Sequence, residues 1–144
     1  MYHSEYVEPY THLMSVSDLA DSIAKEAVLL VVLDVSIPMP GETRDCLAEF
    51  TEKHIPGARF LNLEECMETA TENSHMLPTI AEFSECVGNL GILPSTKVVL
   101  YDANMKEGMF SSPRGWYMFR VFGHKRVYVL NGGLEKWIAE GKSV

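Results

Sequence analysis

Three short aliphatic runs constrain this chain more than any other feature. They are Val28-Leu-Leu-Val-Val-Leu33, Lys97-Val-Val-Leu-Tyr101 and Arg126-Val-Tyr-Val-Leu130. The first two carry almost no polar residue, so as strands they would have no face left for water. Such strands belong inside a parallel sheet covered by helices on both sides. Helix signals stand between them. Ser15-Val-Ser-Asp18 and Thr79-Ile-Ala-Glu82 fit capping boxes, predicting helices to about Ala24 and Leu90, and Ser112-Pro113 offers an N-cap with proline behind it for a helix to Phe122. Thr43 to Phe50 reads as a further helix. Asn131-Gly-Gly133 turns the chain into a last helix, and Gly91, Gly123 and Gly141 stand at helix stops. Ile55-Pro-Gly57 is a turn leading to a short strand at 58–61, and the polar stretch 64–78 reads as a long surface loop. Strands alternating with helices define an α/β domain with a central parallel sheet.

The chain has 144 residues, 47% of them apolar, which suits one domain over 11–144 behind an arm at 1–10. Its formal charge of −8 argues against nucleic acid or an anionic membrane as partner. No apolar run is long enough to span a bilayer. The first ten residues hold two glutamates and no Lys or Arg, unlike a secretory signal or transit peptide, so a cytoplasmic location is expected. Cys46, Cys66 and Cys86 form no CxxC pair, and their number is odd. Free thiols are expected, with no disulfide framework, no metal site and no cofactor motif; the even spacing of twenty reads as chance. Cys46 and Cys86 fall in predicted helices and Cys66 in the loop, which makes Cys66 the most exposed candidate thiol.

Phe50-x-x-x-His54-Ile-Pro-Gly-Ala58-x-x-Leu61 resembles the amino-terminal signature of the rhodanese family. Gly123-His124, the strand running into Leu130-Asn-Gly-Gly133, and Trp137 resemble its later pattern. Val99-Leu-Tyr-Asp102, Gly108-x-Phe-Ser-x-Pro-Arg114 and Trp116-x-Met-Phe-Arg120 are similar to the first domain of two-domain thiosulfate and 3-mercaptopyruvate sulfurtransferases, and His75-Met-Leu-Pro78 to the mercaptopyruvate branch. The resemblance covers residues 11–144 and implies a rhodanese-like fold. It also implies a chemistry: a cysteine thiolate at the end of a central strand, held by N–H groups of a loop that opens a helix, carries sulfur as a persulfide. In this sequence Asp102 takes that position, and no cysteine occurs from 87 to 144. The domain is therefore expected to be non-catalytic alone, a binding or regulatory module. The alternative is the first half of a sulfurtransferase, completed by a catalytic rhodanese domain. Val144 falls where an interdomain linker would begin, and the family connection admits a mitochondrial location.

The resemblance assigns Glu64 and His75 to the interdomain side, where they would polarise a hydroxyl or position substrate. Arg114 could pair with Asp102 or Asp34 as a buried ion network. His54, Pro56, Gly57, Gly132 and Gly133 are structural, with the His54 ring bonding the turn. Met76, Leu77, Met105, Met109 and Phe110 have no evident apolar partner, so either their loops fold back over them or, as the favoured expectation, a homodimer or another bound protein covers them.

Overall fold

The computed structural model describes residues 12–26, 29–38, 41–68, 79–103 and 111–144. His75, and with it Met76, Leu77, Met105, Met109 and Phe110, lies outside the described residues. The elements run β1 (Leu13–Met14), α1 (Val16–Glu26), β2 (Leu30–Asp34), α2 (Cys46–Glu52), β3 (Arg59–Phe60), α3 (Leu63–Glu68), α4 (Ile80–Gly88), β4 (Lys97–Tyr101), α5 (Ser112–Val121), β5 (Val127–Leu130) and α6 (Gly133–Ala139). The strands form a five-stranded sheet in the order β1-β5-β4-β2-β3, and every pairing is parallel.

The aliphatic runs occupy the middle of the sheet because both of their faces are buried. Leu30 pairs with Lys97 and Asp34 with Tyr101 along the whole of β2 and β4. Alternate residues then serve opposite cores. Leu33, Val98, Leu100 and Val127 pack with Leu63 and Cys66 of α3, Phe83 and Val87 of α4 and Met118 and Phe119 of α5. Val32, Val99, Tyr101 and Leu130 pack with Val16 and Leu19 of α1 and Leu134 and Trp137 of α6. Tyr101 and Phe119 are both fully buried, and burial of one large apolar side chain is worth about 1.5–3 kcal/mol.

The helix caps act locally as the sequence suggests at two places. The Asp18 N–H donates to Ser15 Oγ at 3.0 Å, and Thr79 and Glu82 form a reciprocal capping box. Elsewhere the structure corrects the expectation. Helix α2 starts at Cys46, because Asp45 is its N-cap and accepts the Ala48 N–H. The supposed surface loop at 64–78 contains α3 instead. Asn62 Oδ1 accepts the N–H groups of Glu64 and Glu65, and Leu63 and Cys66, three apart, turn into the core. The two-residue strand β1 carries no period and was not foreseeable from pattern. Among the described residues, no helix is long and apolar enough to cross a membrane, and no group of three or more His, Cys, Asp or Glu is placed to hold a metal ion.

The cysteines are the clearest correction. Cys66 and Cys86 are joined in a disulfide between α3 and α4, with Cα atoms 5.9 Å apart. The expectation of free thiols therefore holds for Cys46 alone. No local motif links the two positions, which meet through tertiary packing. Cys66 is not an exposed loop thiol but 2% exposed, and Cys46 is the free cysteine.

Candidate functional site

The sheet order reverses between β2 and β4. Strand β2 leads outward to β3 on one side, and β4 leads to β5 on the other. The carboxyl ends flanking such a switch point are where open α/β sheets bind ligands. Asp34 is the last residue of β2 and Asp102 the first after β4, and both are buried.

Asp102 is fully buried. Its Oδ1 accepts the Ser111 N–H at 2.9 Å and the Ser111 hydroxyl. Its Oδ2 accepts the Ser112 N–H at 2.9 Å and the Ser112 hydroxyl at 2.7 Å. The sequence makes Ser112 an N-cap, but the cap position is Ser111, and its side chain makes no capping bond. Asp102 instead caps α5 from across the loop, satisfying N–H groups that the helix itself leaves open and placing negative charge at the positive end of the dipole. The Asp102 carbonyl also accepts the Leu134 N–H at 2.8 Å, fastening the start of α6.

Asp34 is held differently. Its Oδ1 accepts both the N–H and the hydroxyl of Ser36, at 2.9 and 2.6 Å. Ser36 Oγ in turn accepts the Ala103 N–H at 2.7 Å, tying the end of β2 to the residue after Asp102. Burial pushes the Asp34 carboxyl up to about 6; the Ser36 bonds oppose this, and the neighbouring Asp102 adds to it. Tyr101 is pushed well above the ordinary phenol range, by burial first and then by Asp34. Its hydroxyl accepts the buried Ile55 N–H at 3.3 Å. The end of β4 thus holds the turn at 55–58, where Ala58 N–H donates to Ile55 carbonyl at 2.9 Å.

The remaining sequence candidates fall around this centre. Pro56 and Gly57 form the exposed turn. Gly57 has φ +81° and open space where a Cβ would stand, so conformation rather than close approach demands glycine there. At Gly132, φ is +86° and a Cβ would meet Lys136 Cβ at 2.5 Å, so both constraints apply. Gly133 is the buried first residue of α6. The His54 ring bonds backward rather than to the turn: Nδ1 lies 2.8 Å from the Phe50 carbonyl, and the ring stacks on Phe50. Arg114 is exposed in the first turn of α5. The bonds described about the two aspartates come from serine hydroxyls and backbone N–H groups.

Glu64 lines an adjoining cleft of about 670 Å³ beside the ends of β2 and β3, with Ser36 of this network and Arg44, Cys46, Phe60 and Asn62 among its walls. Arg44 pairs there with Glu49 at 2.7 Å and Glu42 at 3.4 Å. Burial pushes the Cys46 thiol up to about 11, well away from the ionised state a nucleophile needs. Sequence reasoning missed Ser36, Ser111 and Tyr101. The short spacing of Asp34-Val-Ser36 was a local signal for the first. Nothing local links Asp102 to Ser111.

This chain belongs to the family described as the rhodanese-like domain, which it matches over residues 15–140. It is 48% identical over 137 residues to thiosulfate sulfurtransferase of Rattus norvegicus, an alignment covering 94% of this chain and 46% of that protein. It is 44% identical over 111 residues to 3-mercaptopyruvate sulfurtransferase of Homo sapiens, covering 77% and 37%. Among solved structures it resembles SseA from Escherichia coli, a 3-mercaptopyruvate sulfotransferase with the rhodanese fold. That match has a TM-score of 0.78 at 28% identity and covers 92% of this chain and 49% of that one. The chain thus spans less than half the length of each of these relatives.

Proposed function

We propose that this domain forms no persulfide itself and acts as the supporting half of a sulfur-transfer site. The observation that carries this reading is the carboxylate of Asp102, which holds both N–H groups at the start of α5. Rhodanese chemistry places a thiolate after the central strand and stabilises it with such donors. A carboxylate there cannot accept sulfane sulfur, and its charge opposes the approach of thiosulfate or another anion. The other thiols offer no substitute: Cys46 is buried with a raised pKa, and Cys66 and Cys86 are joined.

The partner this reading requires is a rhodanese domain that supplies the cysteine. Its support is the coverage: the sulfurtransferases it matches are more than twice as long as the aligned part. Thiosulfate or 3-mercaptopyruvate would be the donor and a thiol or cyanide the acceptor. Glu64, on the rim of its cleft, and Arg114, exposed beside the Asp102 site, are the residues of this half proposed to face that partner. The test is thiocyanate formation from either donor and cyanide. The chain alone should give none above a denatured control, and adding a cysteine-bearing rhodanese domain should raise that domain's turnover. Turnover by the chain alone, surviving replacement of all three cysteines by serine, would refute the proposal.

A further inference from the structure

We propose that the Cys66–Cys86 bond is a redox-sensitive clamp that sets the position of α3, and through it the wall of the cleft that Cys46 shares. The two cysteines belong to different helices, and each contributes to the same core. Helix α3 has only six residues, Leu63–Glu68, too few to hold together without tertiary anchors. Among its described side chains, the buried anchors are Leu63, which is 1% exposed, and Cys66. Leu63 lies beside α5, where a Cβ added at Gly115 would come within 3.3 Å of its side chain. Cys66 is held covalently to α4. One of the two anchors of α3 is therefore a bond that a reductant can break.

The cleft gives that bond a reach beyond its own helices. Glu64 and Glu65, in the first turn of α3, form one wall, and Cys46, at the start of α2, stands in the same cleft. Loss of the covalent bond leaves that wall without its one covalent tie to α4 among the described residues, held there by packing of Leu63 and Cys66 and by the Asn62 cap. The two sulfurs are unequally accessible: Cys66 is buried, whereas Cys86 is only partly so and follows the exposed pair Ser84 and Glu85. A thiolate of an external dithiol attacks Cys86 Sγ, and the Sγ–Sγ bond breaks. Cys66 leaves as thiolate and takes a proton. The second thiol of the reductant then displaces Cys86 from the mixed disulfide. The bond gains two electrons and two protons, and the dithiol leaves as its own disulfide. This inference does not depend on whether the domain supports catalysis.

The experiment uses the full chain and the thiol of Cys46 as an internal probe. Protein prepared under air is alkylated after unfolding and mapped by mass spectrometry, then treated with dithiothreitol under native conditions and mapped again. The expected result is alkylation of Cys46 only in the first map and of all three cysteines in the second. Far-UV circular dichroism should be retained, and amide exchange across 64–68 should be at least tenfold faster after reduction. Native alkylation of Cys46 should also quicken several-fold in the reduced wild type and in the Cys66→Ser, Cys86→Ser double variant. Three alkylated cysteines in the first map would overturn the proposal. So would a bond that yields to dithiothreitol only after unfolding, or exchange and Cys46 labelling that reduction leaves unchanged.

Discussion

Truncating Asp102 to alanine removes the acceptor for four donors at once, and the structure sets the size of the effect. Two of these donors are hydroxyls and two are backbone N–H groups, all on buried serines. A hydrogen bond to a charged group contributes about 1.5–3 kcal/mol, but four that share one carboxylate do not add. The hydroxyls of Ser111 and Ser112 can rotate to new partners, whereas the two N–H groups cannot, and a buried orphan costs about 1–3 kcal/mol. Opposing this, the variant no longer buries a second carboxylate near Asp34. The net expectation is a loss of about 3 kcal/mol. With a urea dependence of about 1.5 kcal/mol/M, the midpoint should fall by about 2 M. Asp102→Asn keeps the shape and one acceptor but turns an amide N–H₂ toward one serine, so its midpoint should lie between the two. A midpoint shift below about 0.3 M for Asp102→Ala would refute the claim that this carboxylate caps α5.

Asp34 gives a pH-dependent test. Its folded pKa, about 6, lies above the ordinary 3.8, so the folded state binds the proton more tightly. Its penalty is full above the folded value and is relieved as pH falls through it; between pH 7 and 5 the wild type should gain about 1.4 kcal/mol that isosteric Asp34→Asn does not. Equal slopes of stability against pH for the two proteins would show that Asp34 is not perturbed as described. Tyr101→Phe should cost about 1–2 kcal/mol by orphaning the buried Ile55 N–H, read as a lowered urea midpoint with the sheet's circular dichroism retained. Gly57→Val should cost about 2 kcal/mol or more, because a β-branched residue resists φ +81°; a midpoint equal to wild type would mean the turn relaxes without glycine.

The parts of the fold that were legible are those governed by local rules. The run 97–101 is β4 to the residue, because an aliphatic run buried on both faces has few alternatives. The Thr79–Glu82 box formed because both of its bonds lie within one turn. Helix α3 was hidden by composition: among its described side chains Leu63 and Cys66 mark the buried face, and the glutamates between them read as loop. The disulfide was hidden by distance in sequence. The same limit explains the site. Asp102 was legible as a residue, since it follows a buried strand directly, but its partners were not. Ser111 was passed over and Ser112 assigned to capping its own helix, because a side chain reaching back across nine or ten positions leaves no periodic trace.

On the proposed reading, the electrostatics of the switch point bear on what a cysteine-bearing partner would have to supply. Sulfur donors such as thiosulfate and 3-mercaptopyruvate are anions, and both strand ends here carry aspartates. The N–H donors at the start of α5, which could otherwise meet an anion, are already taken by Asp102. Arg44, the cation in the adjoining cleft, is paired with Glu49 and Glu42. Positive potential for the donor must then come from the edge of this domain or from across an interface. Among the described residues, Arg114 is a cation exposed in the first turn of α5, two residues after Ser112. On the proposed reading, Arg114→Gln should raise the KM for thiosulfate of a reconstituted pair while leaving the unfolding free energy of this domain within about 0.5 kcal/mol of wild type. An unchanged KM would place all of the donor's counter-charge on the cysteine-bearing partner.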